Sequence, residues 1–262
     1  MAKICPLFSG STGNATYISC EAGSFLVDAG SNLKWITNGI SACGGNIEDL
    51  KAIFITHEHI DHISALFSIT KKYNFPIVAS RKTLEAIIKA NKIPSASRLI
   101  AIDQTKYSLP GIEIKRFATS HDCEGSSGFT FTLPGDKKVG ICTDTGCIDE
   151  VTLNHLKGCT AVLLESNHDI TMLKNGPYSP MLKHRILSDR GHLSNIQCAC
   201  TLMELYKSGT RRFILGHISQ KNNTPALALE ANKSALLSIG AKENKDYIIY
   251  AAAPNNNEVT VI

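Results

Sequence analysis

The stretch His57-Glu58-His59-Ile60-Asp61-His62 sets three imidazoles and the Asp61 carboxylate within six residues. It follows directly on Ala52-Ile53-Phe54-Ile55, a short β-branched and aromatic run that reads as a buried strand. The cluster therefore stands at the end of a strand, where α/β sheets place ligands and chemistry. In an extended chain residues 57, 59 and 61 share one side, and a helix starting near Asp61 turns His62 back toward the same space. Gathering such donors in one loop costs free energy unless a cation compensates them, so the stretch predicts a metal site. The competing reading is a solvated polar loop.

Working outward, 262 residues are enough for a full core, as one large domain or two small ones. Hydrophobic residues at 43% and charged residues at 19% describe a globular chain and exclude a disordered one. No long apolar segment follows Met1-Ala2-Lys3-Ile4-Cys5-Pro6, and no apolar run reaches the roughly 18 residues of a membrane span, so neither signal peptide nor span is expected. Nine cysteines, an odd number, fit no closed disulfide framework and predict reduced, mostly buried thiols in a cytoplasm. The net charge of +4 says little, but between Asp169 and Lys221 eight Lys or Arg stand against three acids, Asp169, Asp189 and Glu204. Such a region either holds phosphates or is a set of solvated helix faces.

Strands are expected at Lys3–Phe8, Thr16–Ser19, Phe25–Asp28 and Tyr73–Ala79, with a helix at Lys82–Ala90. A second strand-rich block covers Ile112–Ala118, Gly128–Leu133, Lys138–Cys142 and Ala161–Leu164. Helices near Leu182–Leu187 and Ile196–Tyr206 precede a strand at Arg212–Leu215. Thr224-Pro225 then marks a helix start, with threonine as N-cap and proline in the first turn. Strands at Tyr247–Tyr250 and Glu258–Val261 close the chain. Strand-rich blocks interrupted by helices, twice over, predict an α/β (α+β) architecture of two mixed sheets packed face to face with helices outside. No repeat or linker is evident, and residues 1–262 read as one domain.

Three more polar residues follow predicted strands: His121 in Thr119-Ser120-His121-Asp122, Asp144 in Thr143-Asp144-Thr145-Gly146, and His217 in Gly216-His217-Ile218-Ser219. Singly, each reads as a capping Asp or a loop His. Behind the first run they extend the metal site. An HxHxDH run, a later His, an Asp in a DTG turn and a final His together resemble the metallo-β-lactamase fold, an αββα sandwich, over nearly the whole chain. The resemblance implies that His57, His59 and His121 hold one metal ion and that Asp61, His62 and His217 hold a second, with Asp144 bridging. Asp28, in Val27-Asp28-Ala29-Gly30, matches the family's first motif and is expected to orient the ligand loop by hydrogen bonds. A histidine rather than glutamate at position 59 argues against the flavin-linked diiron branch. The short interval between Asp144 and His217 leaves no room for an inserted cap domain.

Within that fold, Phe8-Ser9-Gly10-Ser11-Thr12-Gly13-Asn14, Leu164-Glu165-Ser166-Asn167-His168-Asp169 and Arg190-Gly191-His192-Leu193-Ser194-Asn195 are similar to the YycJ/WalJ family of bacterial nucleases. Gly216-His217-Ile218-Ser219 with Asn222-Asn223-Thr224-Pro225 completes the match. This resemblance implies a 5′→3′ exonuclease on DNA ends, with nucleic acid as partner, mismatch-repair proteins as further partners and no membrane. Glu165 with Gly191-His192 also resembles the tRNA 3′-processing endonucleases, in which the matching histidine serves the leaving group. No long tRNA-gripping arm is evident here.

Imidazole and carboxylate donors without a thiolate suit two divalent ions, zinc or manganese, with iron as a third choice. Two cations bridged by Asp144 would hold a hydroxide as nucleophile, oriented by Asp61, and would neutralise charge growing on the phosphoryl oxygens. His192 is the candidate for protonating the leaving 3′ oxygen or contacting the scissile phosphate; its competing reading is a neighbour of a helix N-cap. The Ser9–Asn14 turn reads as a tight hairpin that presents amides to a phosphate. Ser9, Ser11, Asn14, His168, Ser194, Asn195, Ser219 and Asn222 form the candidate substrate-binding set, with Asp28 and Glu165 in supporting roles. Trp35, the single tryptophan, reads as core or helix packing rather than a base-stacking platform, and His155 and His184 as surface helix residues. Competing functions are a cyclic phosphodiesterase, a thioester hydrolase, an RNA-processing endonuclease and a non-catalytic binding module.

Overall fold

The computed structural model describes residues 1–103, 106–255 and 258–262. One sheet contains β1 (Lys3–Phe8), β2 (Ala15–Cys20), β3 (Gly23–Val27), β4 (Leu50–Phe54), β5 (Ile77–Ala79) and β6 (Leu99–Ala101), with β14 (Thr260–Val261) beside β1. The other contains β7 (Lys106–Leu109), β8 (Ile112–Ala118), β9 (Ser127–Leu133), β10 (Lys137–Cys142), β11 (Ala161–Glu165), β12 (Arg212–Gly216) and β13 (Ile248–Ala251) in sequence order. Both are mixed. β1 to β3 and β7 to β10 pair antiparallel, whereas β3 to β6 and β10 to β13 pair parallel. Because β8 and β10 both run against β9, they end on the same edge as β11 and β12.

The sheets meet face to face because their strands alternate between two cores. In β4, Ala52 and Phe54 enter the layer between the sheets, while Ile53 and the following Ile55 face the outer helices. β11 repeats the pattern, with Ala161 and Leu163 inward, Val162 and Leu164 outward. Strands covered on both faces read as continuous apolar runs, which is why these two segments do. The inter-sheet layer centres on Phe54, whose ring lies 5.2 Å from Phe131, 5.4 Å from Phe129 and 5.6 Å from Tyr107. Full burial of such a ring contributes roughly 1.5–3 kcal/mol. Helices α1 (Leu33–Ala42), α3 (Leu66–Lys72) and α4 (Arg81–Lys89) cover the first sheet, and α5 (Glu150–Leu156), α8 (Asn195–Lys207) and α9 (Pro225–Ser238) the second. The remaining short α-helices among the described residues are α2 (Ile60–Ile63), α6 (Ile170–Asn175) and α7 (Pro180–Leu187), and a 3-10 turn spans Ile47–Asp49. No helix among the described residues is long and apolar enough to cross a membrane.

The αββα sandwich is the expected one, with local departures. The strand expected at Tyr73–Ala79 is only β5, because Pro76 cannot donate to a ladder and the Tyr73 and Phe75 rings stack on each other instead. Of the strand expected at Glu258–Val261, only Thr260–Val261 is strand, as β14. Trp35 is not a core residue: it is 57% exposed, because α1 buries the stripe through Ile36 and Ile40. All nine cysteines are free thiols, although Cys200 is exposed.

Candidate metal centre

The candidate ligands gather at the carboxyl edge shared by the two sheets. His57 follows β4, and the loop turns into α2 with His59 as its N-cap residue. His121 follows β8, Asp144 follows β10, Glu165 ends β11 and His217 follows β12. His57, His59 and His121 bring their ring nitrogens within 4.8 Å of one another, as do Asp61, His62 and His217 with their own donors. Asp144 belongs to both sides: its Oδ2 lies 3.3 Å from His62 Nε2, and its Oδ1 lies 3.6 Å from His217 Nδ1 and 3.9 Å from His121 Nε2. Asp28, Asp144 and His217 all adopt left-handed backbone, with φ of 63°, 54° and 51°. Each such residue costs on the order of 1–3 kcal/mol, a strain that concentrates at functional sites.

A surrounding layer of hydrogen bonds sets which nitrogen of each ring faces inward. His62 Nδ1 donates to Asp28 Oδ2 at 2.8 Å, and His121 Nδ1 donates to the Gly191 carbonyl at 3.1 Å. His57 Nδ1 meets Thr56 Oγ1 at 3.0 Å; that hydroxyl and the Thr56 N–H both donate to Asp28. His217 Nδ1 donates to Glu165 Oε1 at 2.8 Å. The Nε2 lone pairs of these four rings are thereby left for the centre, as in metal sites whose histidines are held by carboxylates or carbonyls. Asp28 thus acts on the ligand loop through Thr56, a residue that the sequence reading passed over although it lies within Ile55-Thr56-His57.

The donor set fits a divalent cation. His57 Nε2 and His59 Nδ1 stand 3.0 Å apart, a distance at which two lone pairs repel unless a proton or cation lies between them. His217 Nε2 and Asp144 Oδ2 are buried without a hydrogen-bond partner. Burial opposes a charge on His62, yet the Asp144 and Asp28 carboxylates push its pKa up to about 10. His217 is raised as well, against its burial, chiefly by Asp144. The carboxylates therefore favour positive charge in the centre, which a divalent metal ion would supply.

Beyond these residues, Glu165 Oε1 also accepts from His192 Nδ1 at 2.7 Å, while its Oε2 accepts from the Thr145 and Leu193 amides. Burial works against its ionisation, but the His192 and His217 imidazoles hold its pKa down to about 2. Two further residues went unread in the sequence. Arg190 Nε donates to the His121 carbonyl at 3.0 Å, and Asp122 Oδ1 lies 3.1 Å from His121 Nε2 and 3.6 Å from His59 Nε2 while pairing with Arg185. Gly191 is required where it is, because a Cβ there would strike the Arg185 and Ile186 carbonyls.

The candidate substrate-binding set divides. Ser9 Oγ accepts from the His217 amide, and the Asn14 amide nitrogen stands 3.0 Å from His62 Nε2 and 3.3 Å from Asp61 Oδ2. Ser11 is exposed at the tip of the same turn. By contrast, Ser194 caps α8, and Asn195 is buried between Ser166 and Asn223. Ser219 Oγ caps the Asn222 amide, and Asn222 is itself buried. His168 is buried with neither ring nitrogen partnered, and burial pushes its pKa down to about 4. His184 is exposed on α7, and His155 is half-buried, its ring stacked on Phe117. In the basic region, Arg185 pairs with Asp122, Lys207 with Glu204, and Arg211 lies over the Tyr206 ring.

An αββα sandwich with a histidine–carboxylate centre at the shared strand edge defines a hydrolase domain of the metallo-β-lactamase type. The chain belongs to the β-lactamase superfamily, whose domain model matches residues 24–218, and within it to the family of the exodeoxyribonucleases WalJ and YycJ. It is 34% identical to exodeoxyribonuclease WalJ of Streptococcus pneumoniae over 97% of this chain and 95% of the relative. With exodeoxyribonuclease YycJ of Bacillus anthracis it shares 35% identity over 85% of this chain and 84% of the relative. Among solved structures, the metallo-β-lactamase fold protein YhfI from Bacillus subtilis has the same fold, with a TM-score of 0.72 over 99% of this chain and 98% of its own, at 17% identity.

Proposed function

We propose that this protein is a dinuclear metal-dependent phosphodiesterase that degrades DNA from 5′ ends. The observation that carries the reading is His192, a ring outside the ligand set, tied to buried Glu165 beside Asp144. Cleaving a phosphodiester expels an alkoxide, a poor leaving group that needs a proton, and this ring can deliver one. The nucleic-acid substrate is supported by the exodeoxyribonuclease relatives, and the 5′→3′ direction by the motif resemblance to their family.

In this reading His57, His59 and His121 would hold one cation and Asp61, His62 and His217 the other, with Asp144 able to serve both. Zinc or manganese suits the donors best, then iron. When bound, the two cations supply Lewis acidity and a water acidic enough to act as a nucleophile at neutral pH. Asp61, the most exposed carboxylate of the set, would be the residue to orient such a water. His192 keeps Nδ1–H on Glu165, which fixes the ring's orientation and leaves Nε2 to deliver the proton to the departing 3′ oxygen. Residues 1–262 then form one catalytic domain, its two sheets sharing the inter-sheet core. A reducing cytoplasm is supported by the nine unbridged thiols, and mismatch-repair partners by the family resemblance.

The test is digestion of 5′- and 3′-labelled oligonucleotides in parallel with chromogenic phosphodiesters, thioesters and RNA. Release of labelled 5′ nucleotides first is the expected result. Turnover confined to thioesters or cyclic phosphodiesters would replace the proposal with a small-molecule hydrolase, and turnover confined to RNA with an RNA-processing enzyme.

A further inference from the structure

Trp35 is the only tryptophan in the chain, and 57% of it is exposed. Single exposed apolar side chains are common on protein surfaces, so exposure alone decides nothing. The surroundings of this indole are more specific. Trp35, Asn38 and Ala42 lie on one face of α1, at i, i+3 and i+7. With Phe8, Gly39 and Asn255 they line a groove of about 270 Å³. Two aromatic side chains and two side-chain amides thus line one groove, apolar surface beside hydrogen-bond donors and acceptors. That combination suits a nucleobase, which has a π face and a polar edge.

Two walls of the groove also join the metal centre through the chain. Phe8 leads directly into Ser9, whose hydroxyl accepts from the His217 amide, and into Asn14, whose amide touches Asp61 and His62. At the other wall, α1 begins just after Gly30, where a Cβ would collide with the Asp61 carbonyl. The Asn32 side chain caps that helix by accepting from the Trp35 amide at 2.9 Å. Trp35 therefore sits in the first turn of a helix anchored against the ligand loop.

We propose that Trp35 is a base-stacking platform that grips an unpaired nucleotide of the strand being degraded, with the Asn38 and Asn255 amides at the base edge. This rests on the nuclease reading above. It identifies the substrate as a strand with at least one unstacked base, and its recognition as sequence-tolerant, because every base has a π face.

The test uses the metal-loaded protein and a single-stranded phosphorothioate oligonucleotide that resists cleavage. Emission from the sole tryptophan should be quenched saturably as the strand binds. An abasic strand of the same length and charge should bind without that quench. By anisotropy, Trp35→Ala should weaken binding of the base-bearing strand by roughly 5- to 100-fold, and Trp35→Phe by no more than a few-fold. A bound strand that leaves the emission unchanged, or Trp35→Ala binding as tightly as wild type, overturns the platform while leaving nuclease activity standing. Wild-type protein that neither binds nor cuts DNA overturns the nuclease reading, and the platform with it.

Discussion

His192 Nδ1 stands 2.7 Å from Oε1 of Glu165, a carboxylate with no exposed surface at the end of β11. The same oxygen accepts from His217 Nδ1 at 2.8 Å. One buried anion thus orients both a candidate ligand and the candidate proton donor, so the two functions are separable only by variants that treat them differently.

His192→Ala should retain both metals, since His192 lies outside the proposed ligand set, and should slow DNA cleavage by roughly 10²–10⁴-fold. On a nitrophenyl phosphodiester, whose leaving group needs little protonation, the loss should be much smaller. Equal losses on both substrates would count against the acid. Metal analysis and both rates on this one variant decide the matter.

Glu165→Gln should behave differently. It leaves a neutral acceptor where His217 and His192 need an anion, so metal affinity should fall by roughly 10–100-fold as well as activity. Competition with a chromogenic chelator measures the first effect. Unchanged affinity would mean that Glu165 serves His192 alone.

Asp144→Ala removes the carboxylate that reaches toward both halves of the centre, and at least one metal should be lost. Elemental analysis showing two ions in the variant, or one ion or none in fully active wild type, would exclude a bridging role.

Stability should depend on pH in opposite ways with and without metal. Despite burial, Asp144 and Asp28 raise the His62 pKa from 6.5 to about 10 in the cation-free centre. A raised folded-state pKa stabilises fully below the ordinary value and stops stabilising as pH rises through the folded one. Chelator-treated protein should therefore lose thermal stability between about pH 6.5 and 10. Cations must displace those protons, so metal affinity should rise over the same interval. Melting curves with and without chelator check both trends, and a cation-free protein with a flat profile would contradict the charge argument.

Activity on DNA should fall as salt rises, because released counterions favour phosphate binding at low ionic strength. The surface to test is smaller than the Asp169–Lys221 count implies, since several of those cations are engaged within the protein, Arg185 with Asp122 and Lys207 with Glu204. Lys34→Ala and Lys221→Ala should reduce the salt slope, measured by anisotropy, more than Lys207→Ala. Equal slopes for the three would disperse the contact over the whole surface.

The sequence by itself determined the donors and their places in the fold. Apolar runs such as Ala52–Ile55 and Val162–Leu164 mark strands covered on both faces, and the polar residues just after them must lie at strand ends. These are local consequences of a period-2 chain. Tertiary structure alone decided the rest. The pairings of Asp28 with Thr56, Glu165 with His192, and Arg190 with the His121 carbonyl join residues far apart in the chain. They exist only because β3 and β4 lie side by side and because the loops after β8, β11 and α7 converge on one edge. Trp35 shows the same limit from the other side. The apolar residues Leu33, Trp35, Ile36 and Ile40 admit more than one buried stripe, and only the docking of α1 on its sheet, through Ile36 and Ile40, turned the indole outward.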